Sequence, residues 1–464
     1  MNVSRIITST PVRSLRRSLF PGVLAVSALV AFWQCVRARR SVRETHPPDA
    51  TPLTVPMPHV SIILPVRNEE ANIGACLSTL LVQDYPDFDI TVIDDGSTDA
   101  TARLLAGWSA RNSRIRVYRI DKLPEGWAGK THALHMGVML SDGEWLLFTD
   151  ADTRHAPQTL RLMMRHALRY HDDLLSMRTT LMTLIGPAVS LLMPLSEVIV
   201  ALRVTPDEMR HSPISRAFAF GQYILMRRDA YLLTEGYAAA SLRSSAIEDV
   251  ALADHFKLHG RSVEVVEGRG LVMNQQWTTW ESAMQGWRKS CYGGLVRFRI
   301  PFVAILAAGL ALIAYGLGPL ITFVSALCSG KIYRVSTALA GITLLAQIDA
   351  RRSFDREYDL ALPWSFATPL GWVLFGVLTL DVARRMLTGR GTDWKGRQLP
   401  KQKVAYFQSG KALSGGTTRP AIDPPDPLPR SLPDKEAIPH VLSGKPTSPP
   451  ISEDHEGVEW RSAG

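Results

Sequence analysis

Three acidic clusters punctuate the first half of this 464-residue chain. Asn68, Glu69 and Glu70 follow the apolar run HVSIILPV, Asp94 and Asp95 follow FDITVI, and Asp150 and Asp152 follow EWLLF. Each stands where a buried strand should leave its sheet. One such cluster alone is usually a solvated turn. Three on a common sheet edge repel one another unless a cation or hydrogen-bond donors lie among them. Asp150 and Asp152, one residue apart, suit Mg²⁺ or Mn²⁺. These hard cations take one or two carboxylates and complete their shell with water and substrate phosphates. A metal-bound diphosphate is therefore the ligand this chemistry selects. Asp94 or Asp95 can accept from an N–H of a base, and Glu69 from ribose hydroxyls. Lys130, in EGWAGKTHAL, adds its charge to a helix start, and both favour an anion. Further on, Glu248 and Asp249 open an amphipathic helix. Acids there complement the helix dipole. The same position suits a general base that takes a proton from an acceptor hydroxyl. Spacing alone does not choose between these readings.

The elements that must position these residues alternate. HVSIILPV, FDITVIDD, RIRVYRI and EWLLFTD read as strands. NIGACLSTLLVQ, TDATARLLAGWSA and GKTHALHMGVML read as helices, the second with Ser97, Thr98 or Asp99 placed to cap it. Such alternation predicts an α/β fold around a mostly parallel sheet, with ligands at the carboxyl ends of the strands.

The flanks differ in character. Residues 1–43 form a basic segment around an apolar stretch, 19–36, bracketed by Arg13, Arg16 and Arg17 and by Arg37, Arg39, Arg40 and Arg43. About 18 apolar residues suffice to span a bilayer core. No small-residue cleavage site follows, so the stretch reads as an uncleaved anchor rather than a signal peptide. Residues 44–58 are a Pro-rich linker and 59–298 the α/β domain. Within that domain 181–202 is apolar but interrupted by Pro187, Pro194 and Glu197, which predicts a broken interfacial segment rather than a span. Residues 299–383 hold three apolar runs: 301–328, a short 335–348 and 361–381. A basic segment, 384–403, and a Pro- and Ser-rich tail, 404–464, read as disordered, complete the chain. The net charge of +9, with Arg and Lys beside apolar runs, points to a lipid surface; no nucleic-acid motif is present. Four scattered cysteines read as small hydrophobes in a reducing compartment.

Together the motifs SIILPVRNEE, VIDDGSTDAT, EGWAGKTHAL, FTDADT, FGQYILMRRDAY and AIEDVALADHFKLHG resemble a family 2 glycosyltransferase with a GT-A fold over residues 60–290. The membrane-flanked layout and TDWKGR (392–397) resemble the subgroup of hopanoid-associated, carotenoid and ceramide glycosyltransferases. The resemblance implies a GT-A domain set between an N-terminal transmembrane helix and C-terminal ones. It implies that Pro65, Asn68, Glu69, Asp94 or Asp95, Lys130 and Asp150 hold a nucleotide-sugar, expected to be a UDP-sugar. Asp150 and Asp152 would carry the metal-diphosphate, and Asp249, with Glu248 beside it, would be the base of an inverting transfer to a membrane lipid. Three positions depart from the family pattern. Glu235-Gly236 replaces the usual Gly-Gly. Gln275, Gln276 and Trp277 stand where lipid-acceptor relatives carry Arg-Met-Tyr. QWTTW, Gln276 to Trp280, has Thr279 in place of arginine. Arg288 or Lys289 is then expected to supply the missing charge to the diphosphate. Activated sugars are cytosolic, so the domain is expected at the cytoplasmic face of a bacterial inner membrane. Two spans plus a re-entrant 335–348 would keep Arg384, Arg385, Arg390, Lys395 and Arg397 on that face, as the positive-inside tendency requires. A membrane nucleotidyltransferase and a catalytically degenerate scaffold are the alternatives. The acidic LPVRNEEANIG lacks the Gly-rich phosphate loop expected of the first.

Overall fold

The computed structural model describes residues 10–182, 186–211, 216–275, 277, 279–330, 334–388 and three two-residue pieces, 393–394, 397–398 and 440–441. The expectations for Gln276, for Lys395 and for most of the tail lie outside the described residues.

Strands β1 (Val60–Val66), β2 (Phe88–Asp94), β3 (Ile115–Arg119) and β4 (Trp145–Phe148) alternate with helices α2 (Ile73–Leu81), α3 (Thr101–Arg111) and α4 (Gly129–Met139), behind the long N-terminal α1 (Thr10–Glu44). After β5 (Thr153–His155) and α5 (Thr159–Tyr170) come β6 (Leu174–Arg178), β7 (Thr180–Leu181), α6 (Pro187–Arg203) and α7 (Pro206–His211). The domain finishes with β8 (Ile224–Arg227), α8 (Arg228–Leu233), α9 (Glu248–Leu258), β9 (Val263–Glu267), β10 (Val272–Asn274) and α10 (Trp280–Arg297). The main sheet runs β3-β2-β1-β4-β8-β6-β9, with His440–Val441 on the outer side of β3. It is parallel except at β8, which pairs antiparallel with β4 and β6. Burial on both faces explains why β1 and β2 read as continuous apolar runs. Gly137 lets α4 lie close on the sheet: a Cβ there would meet Ile63 Cγ2 at 2.3 Å.

Register brings the acidic clusters together. Val66 pairs with Asp94, and Ile63 with Phe148, so β1, β2 and β4 end on one edge. The loops after β1 and β2 then interlock. Thr98 N donates to Asn68 Oδ1 at 2.8 Å, Glu69 N donates to Thr101 Oγ1 at 2.8 Å, and Ala100 N donates to Glu70 Oε2 at 2.8 Å. The start of α3 thus receives its carboxylate from a neighbouring loop, not only from Ser97, Thr98 or Asp99. Asn68 itself is left-handed, φ 52°, a conformation that asparagine tolerates better than most residues.

The remaining helices are α11 (Phe302–Cys328), α12 (Val335–Glu357), the short α13 (Pro363–Phe366) and α14 (Thr368–Leu387). Among the described residues three helices are long and apolar enough to cross a membrane: Pro21–Glu44, Pro187–His211 and Phe302–Cys328. Two match the expected spans 19–36 and 301–328. The expected 361–381 does not qualify. Its helix, α14, ends in Asp381, Arg384 and Arg385, and Asp381 accepts from Arg288 of α10 at 2.8 Å.

Two further expectations need correction. The run 335–348 is not a short re-entrant piece: α12 continues to Glu357, forming an antiparallel hairpin with α11 in which Gln347 donates to Tyr315 O at 3.1 Å. Two charges in its second half are fully buried together, with Arg351 Nε 3.1 Å from Asp355 Oδ1. Nor does Pro194 break α6, which runs on to Arg203. Proline lacks the N–H that would bond the carbonyl four residues back, here that of Ser190. Arg351 donates to Ser190 O and to Leu191 O, the latter at 2.9 Å, and so satisfies the carbonyl freed by Pro194 from another helix. More than half of the apolar stretch of α6 is covered by the rest of the chain (61%). By contrast α1, α11 and α12 leave Leu29, Phe32, Leu310, Ile321, Ile342 and Leu345 exposed.

Candidate active site

A cleft of about 720 Å³ opens along the carboxyl ends of β1, β2 and β4 and continues between α6 and α10. Pro65, Asn68, Glu69, Asp95, Lys130, Asp150, Asp152, Glu248, Asp249 and Lys289 all line it. Of Asp94 and Asp95, only Asp95 lines the cleft. Asp94 points away, is fully buried, and accepts from Ser97 N at 2.8 Å and Arg119 Nη1 at 2.6 Å. That carboxylate ties β2 to β3 and is not available to a ligand.

Lys130 is the hub. Its Nζ lies 2.6 Å from Asp150 Oδ1 and 2.7 Å from Glu248 Oε1. Burial by itself lowers an ammonium pKa, but the two carboxylates more than offset it and hold Lys130 charged, well above its ordinary value. Glu248 is disfavoured by burial, yet Lys130 and Lys289, the latter 3.7 Å from Oε2, keep its pKa below the usual range. Asp249 behaves oppositely. Burial, and then the charge of Glu248, raise its pKa to about 6. Its oxygens accept from Gly221 N at 3.1 Å and from Val250 N, at the start of α9, at 2.8 Å. The pKa values of two adjacent carboxylates are thus driven apart: that of Glu248 is held low, and that of Asp249 is raised towards neutrality, where a proton acceptor works best.

Gly221 escaped the sequence reading, although it sits inside the quoted FGQYILMRRDAY. A Cβ there would stand 3.3 Å from Lys130 Nζ and 3.4 Å from Asp249 Oδ2, so glycine lets the backbone N–H approach the carboxylate. Four other cleft residues carried no motif signal: Glu197 on α6, Gln285 and Trp287 on α10, and Tyr358 just beyond α12.

The expected charge after α9 divides cleanly. Lys289 faces the cleft; Arg288, its neighbour, is bound to Asp381 on α14 and is not among the lining residues. Trp280 opens α10 with 48% of its surface exposed and does not line the cleft. Thr279, at the expected arginine position, caps α10: it forms a capping box with Ser282.

The donor set fits a divalent cation. Asp150 and Asp152 offer hard oxygens to the cleft, and its lining is acidic. Seven carboxylates, the six named above and Glu197, face only Arg67, Lys130 and Lys289 among the described residues. A diphosphate entering such a cleft needs further positive charge, which Mg²⁺ or Mn²⁺ supplies on one or two carboxylates.

The architecture is that of a GT-A-like α/β domain. Residues 61–232 match the profile of Glycosyl transferase family 2. The 4,4'-diaponeurosporenoate glycosyltransferase of Staphylococcus aureus (strain USA300) is 30% identical over 238 residues, 50% of this chain and 60% of that protein. The chain therefore spans less than two thirds of the length of the curated relatives it matches. Among solved structures, the mannosyltransferase PcManGT from Pyrobaculum calidifontis, in complex with GDP-Man and Mn²⁺, aligns at TM-score 0.47 and 17% identity, covering 80% of this chain and 99% of that one. The S. aureus TarS 1–349 complex with UDP-GlcNAc aligns at TM-score 0.36 and 17% identity, covering 71% and 92%.

Proposed function

We propose that this chain is an inverting glycosyltransferase that moves a sugar from a nucleotide-sugar, a UDP-sugar, to a hydroxyl of a membrane lipid. The observation that carries the reading is one network: Lys130 bridging Asp150 and Glu248 beside an Asp249 raised to about 6. Pro65, Asn68, Glu69 and Asp95 line the part of the cleft where the nucleoside would lie. Asp150 and Asp152 would hold Mg²⁺ or Mn²⁺, which stabilises the negative charge of the departing diphosphate when bound. Lys130 and Lys289 add fixed positive charge. Asp249 takes the proton from the acceptor hydroxyl as its oxygen attacks the anomeric carbon, and Gly221 N and Val250 N hold the carboxylate in place. The exposed apolar faces of α1, α11 and α12 support membrane embedding. The return of the chain through the α11–α12 hairpin supports a cytoplasmic C-terminal side, with the domain at a bacterial inner membrane.

The test is calorimetry of the detergent-solubilised full chain with UDP, with and without Mn²⁺. Micromolar binding that needs Mn²⁺ is the expected result. Absence of binding would match the scaffold alternative, and a preference for UTP would match the nucleotidyltransferase.

A further inference from the structure

Glu197 is an anomaly. It lies in LLMPLSEVIVAL, the most apolar stretch of the domain, with only 3% of its surface exposed. Burying a carboxylate there is costly unless it is paired and hydrogen-bonded. Yet its pairing is incomplete. Tyr358 OH donates to Oε1 at 2.9 Å, while the nearest cation atom, Arg178 Nε, stands 3.6 Å from Oε2, beyond hydrogen-bond reach. Arg178 is itself 2% exposed and lies over the Phe354 ring, and none of its three guanidinium nitrogens reaches an acceptor among the described residues. Each carboxyl oxygen can accept more than one hydrogen bond, so Glu197, which lines the cleft, retains capacity for a ligand. Met193, Val200, Trp277 and Trp287 give this part of the wall its apolar surface, and Ser196 and Gln285 are among the polar residues between them.

We infer that Glu197 is the group that receives the polar end of the acceptor, and that the acceptor is an uncharged hydroxyl-bearing molecule with a long apolar body rather than an anionic one. This rests on the transferase reading but goes beyond it. Met193, Val200 and the two tryptophans cover the apolar body. Glu197 accepts a hydrogen bond from a hydroxyl. Tyr358, by its hydrogen bond to Oε1, and Arg178, close to Oε2, orient Glu197 as positioning residues. An acidic lining repels a carboxylate acceptor and tolerates a neutral one.

The test is equilibrium binding of radiolabelled monooleoylglycerol and oleate to the full chain with UDP and Mg²⁺ present, beside the UDP affinity itself. The wild type should retain the neutral lipid about tenfold over oleate, the effect of one hydrogen bond to a charged group. Glu197→Gln should erase that preference and leave UDP affinity unchanged. Because Glu197→Gln leaves Arg178 buried without its counter-ion, the double variant Glu197→Gln/Arg178→Gln is measured alongside it and should lose the preference equally. Tyr358→Phe should weaken it about threefold. An unchanged preference in the double variant, or a wild type that favours oleate or discriminates neither, overturns the inference. Loss of UDP binding in the wild type would sink the nucleotide-sugar reading separately, while the lipid arm still judges Glu197.

Discussion

The two halves of the cleft are built differently. On the donor side, polar loops at adjacent strand ends fasten one another: Asn68 to Thr98, Glu69 to Thr101, Glu70 to Ala100. On the acceptor side the wall comes from α6, α10 and the end of α12. Its single carboxylate is bonded to a tyrosine 161 residues further along the chain. The donor half is therefore preorganised by short-range sequence, as a phosphate site must be to stabilise charge without reorganising. The acceptor half depends on how separate helices dock. Binding of nucleotide and docking of helices should then respond to different substitutions.

The largest separation is expected at Asp249. Asp249→Asn should lower transfer roughly 100- to 10,000-fold, the usual range for a lost general base, while UDP affinity measured by calorimetry stays within twofold. Arg351→Met probes the other half. It strips the proline-freed carbonyls of α6 of their donor and leaves Asp355 buried, a loss of about 3–5 kcal/mol for a broken buried pair. Thermal unfolding in detergent should show a clear fall in Tm, with UDP affinity retained in the folded fraction. Chelation by EDTA, or Asp150→Asn, should lower turnover roughly 100- to 1,000-fold, the scale of removing one preorganised charge-stabilising group. Added Mn²⁺ should restore the chelated protein but not the variant.

Acidity gives a smaller and graded effect. The pKa of Asp249 lies above its ordinary value, at about 6, and a base acts only when deprotonated. The ratio kcat/KM should be flat above pH 7 and fall about tenfold per unit below pH 6; an Asp249→Glu variant that retains activity should shift that limb. The smallest contrast compares neighbours. Lys289→Ala should raise the KM for the donor several-fold, because Lys289 helps hold Glu248 anionic. Arg288→Ala should leave it unchanged, since that guanidinium serves Asp381. Equal effects at both positions would erase the distinction.

Legibility in the sequence follows the same division. A strand buried on both faces reads as an unbroken apolar run, and its ligand-facing end as the polar cluster that follows, so the sheet and the donor carboxylates could be located to within one residue. That last residue was not legible. Adjacent side chains on a strand point to opposite faces, so Asp94 binds Arg119 while its neighbour Asp95 lines the cleft. Successive helical residues diverge by about 100°, which sends Arg288 to α14 and Lys289 to the cleft. Thr279 looked like a lost arginine because capping and ligand contact leave the same mark on a short motif. The helix reading 335–348 fell short where charges found partners far away: α6 supplies carbonyls to Arg351, and Ser365, 2.6 Å away, a hydroxyl to Asp355.

The sequence by itself determined the α/β order, the three acidic strand ends, Lys130 at a helix start and the Glu248–Asp249 pair, because each depends on periodicity and spacing within about 15 residues. The tertiary structure decided which of each adjacent pair faces the cleft and bound Asp150 and Glu248 through a single ammonium. It also carried α6 unbroken through Pro194 and set Glu197 in the cleft wall. These outcomes depend on register, helix rotation and the pairing of buried charges, which arise only when distant segments exclude water together.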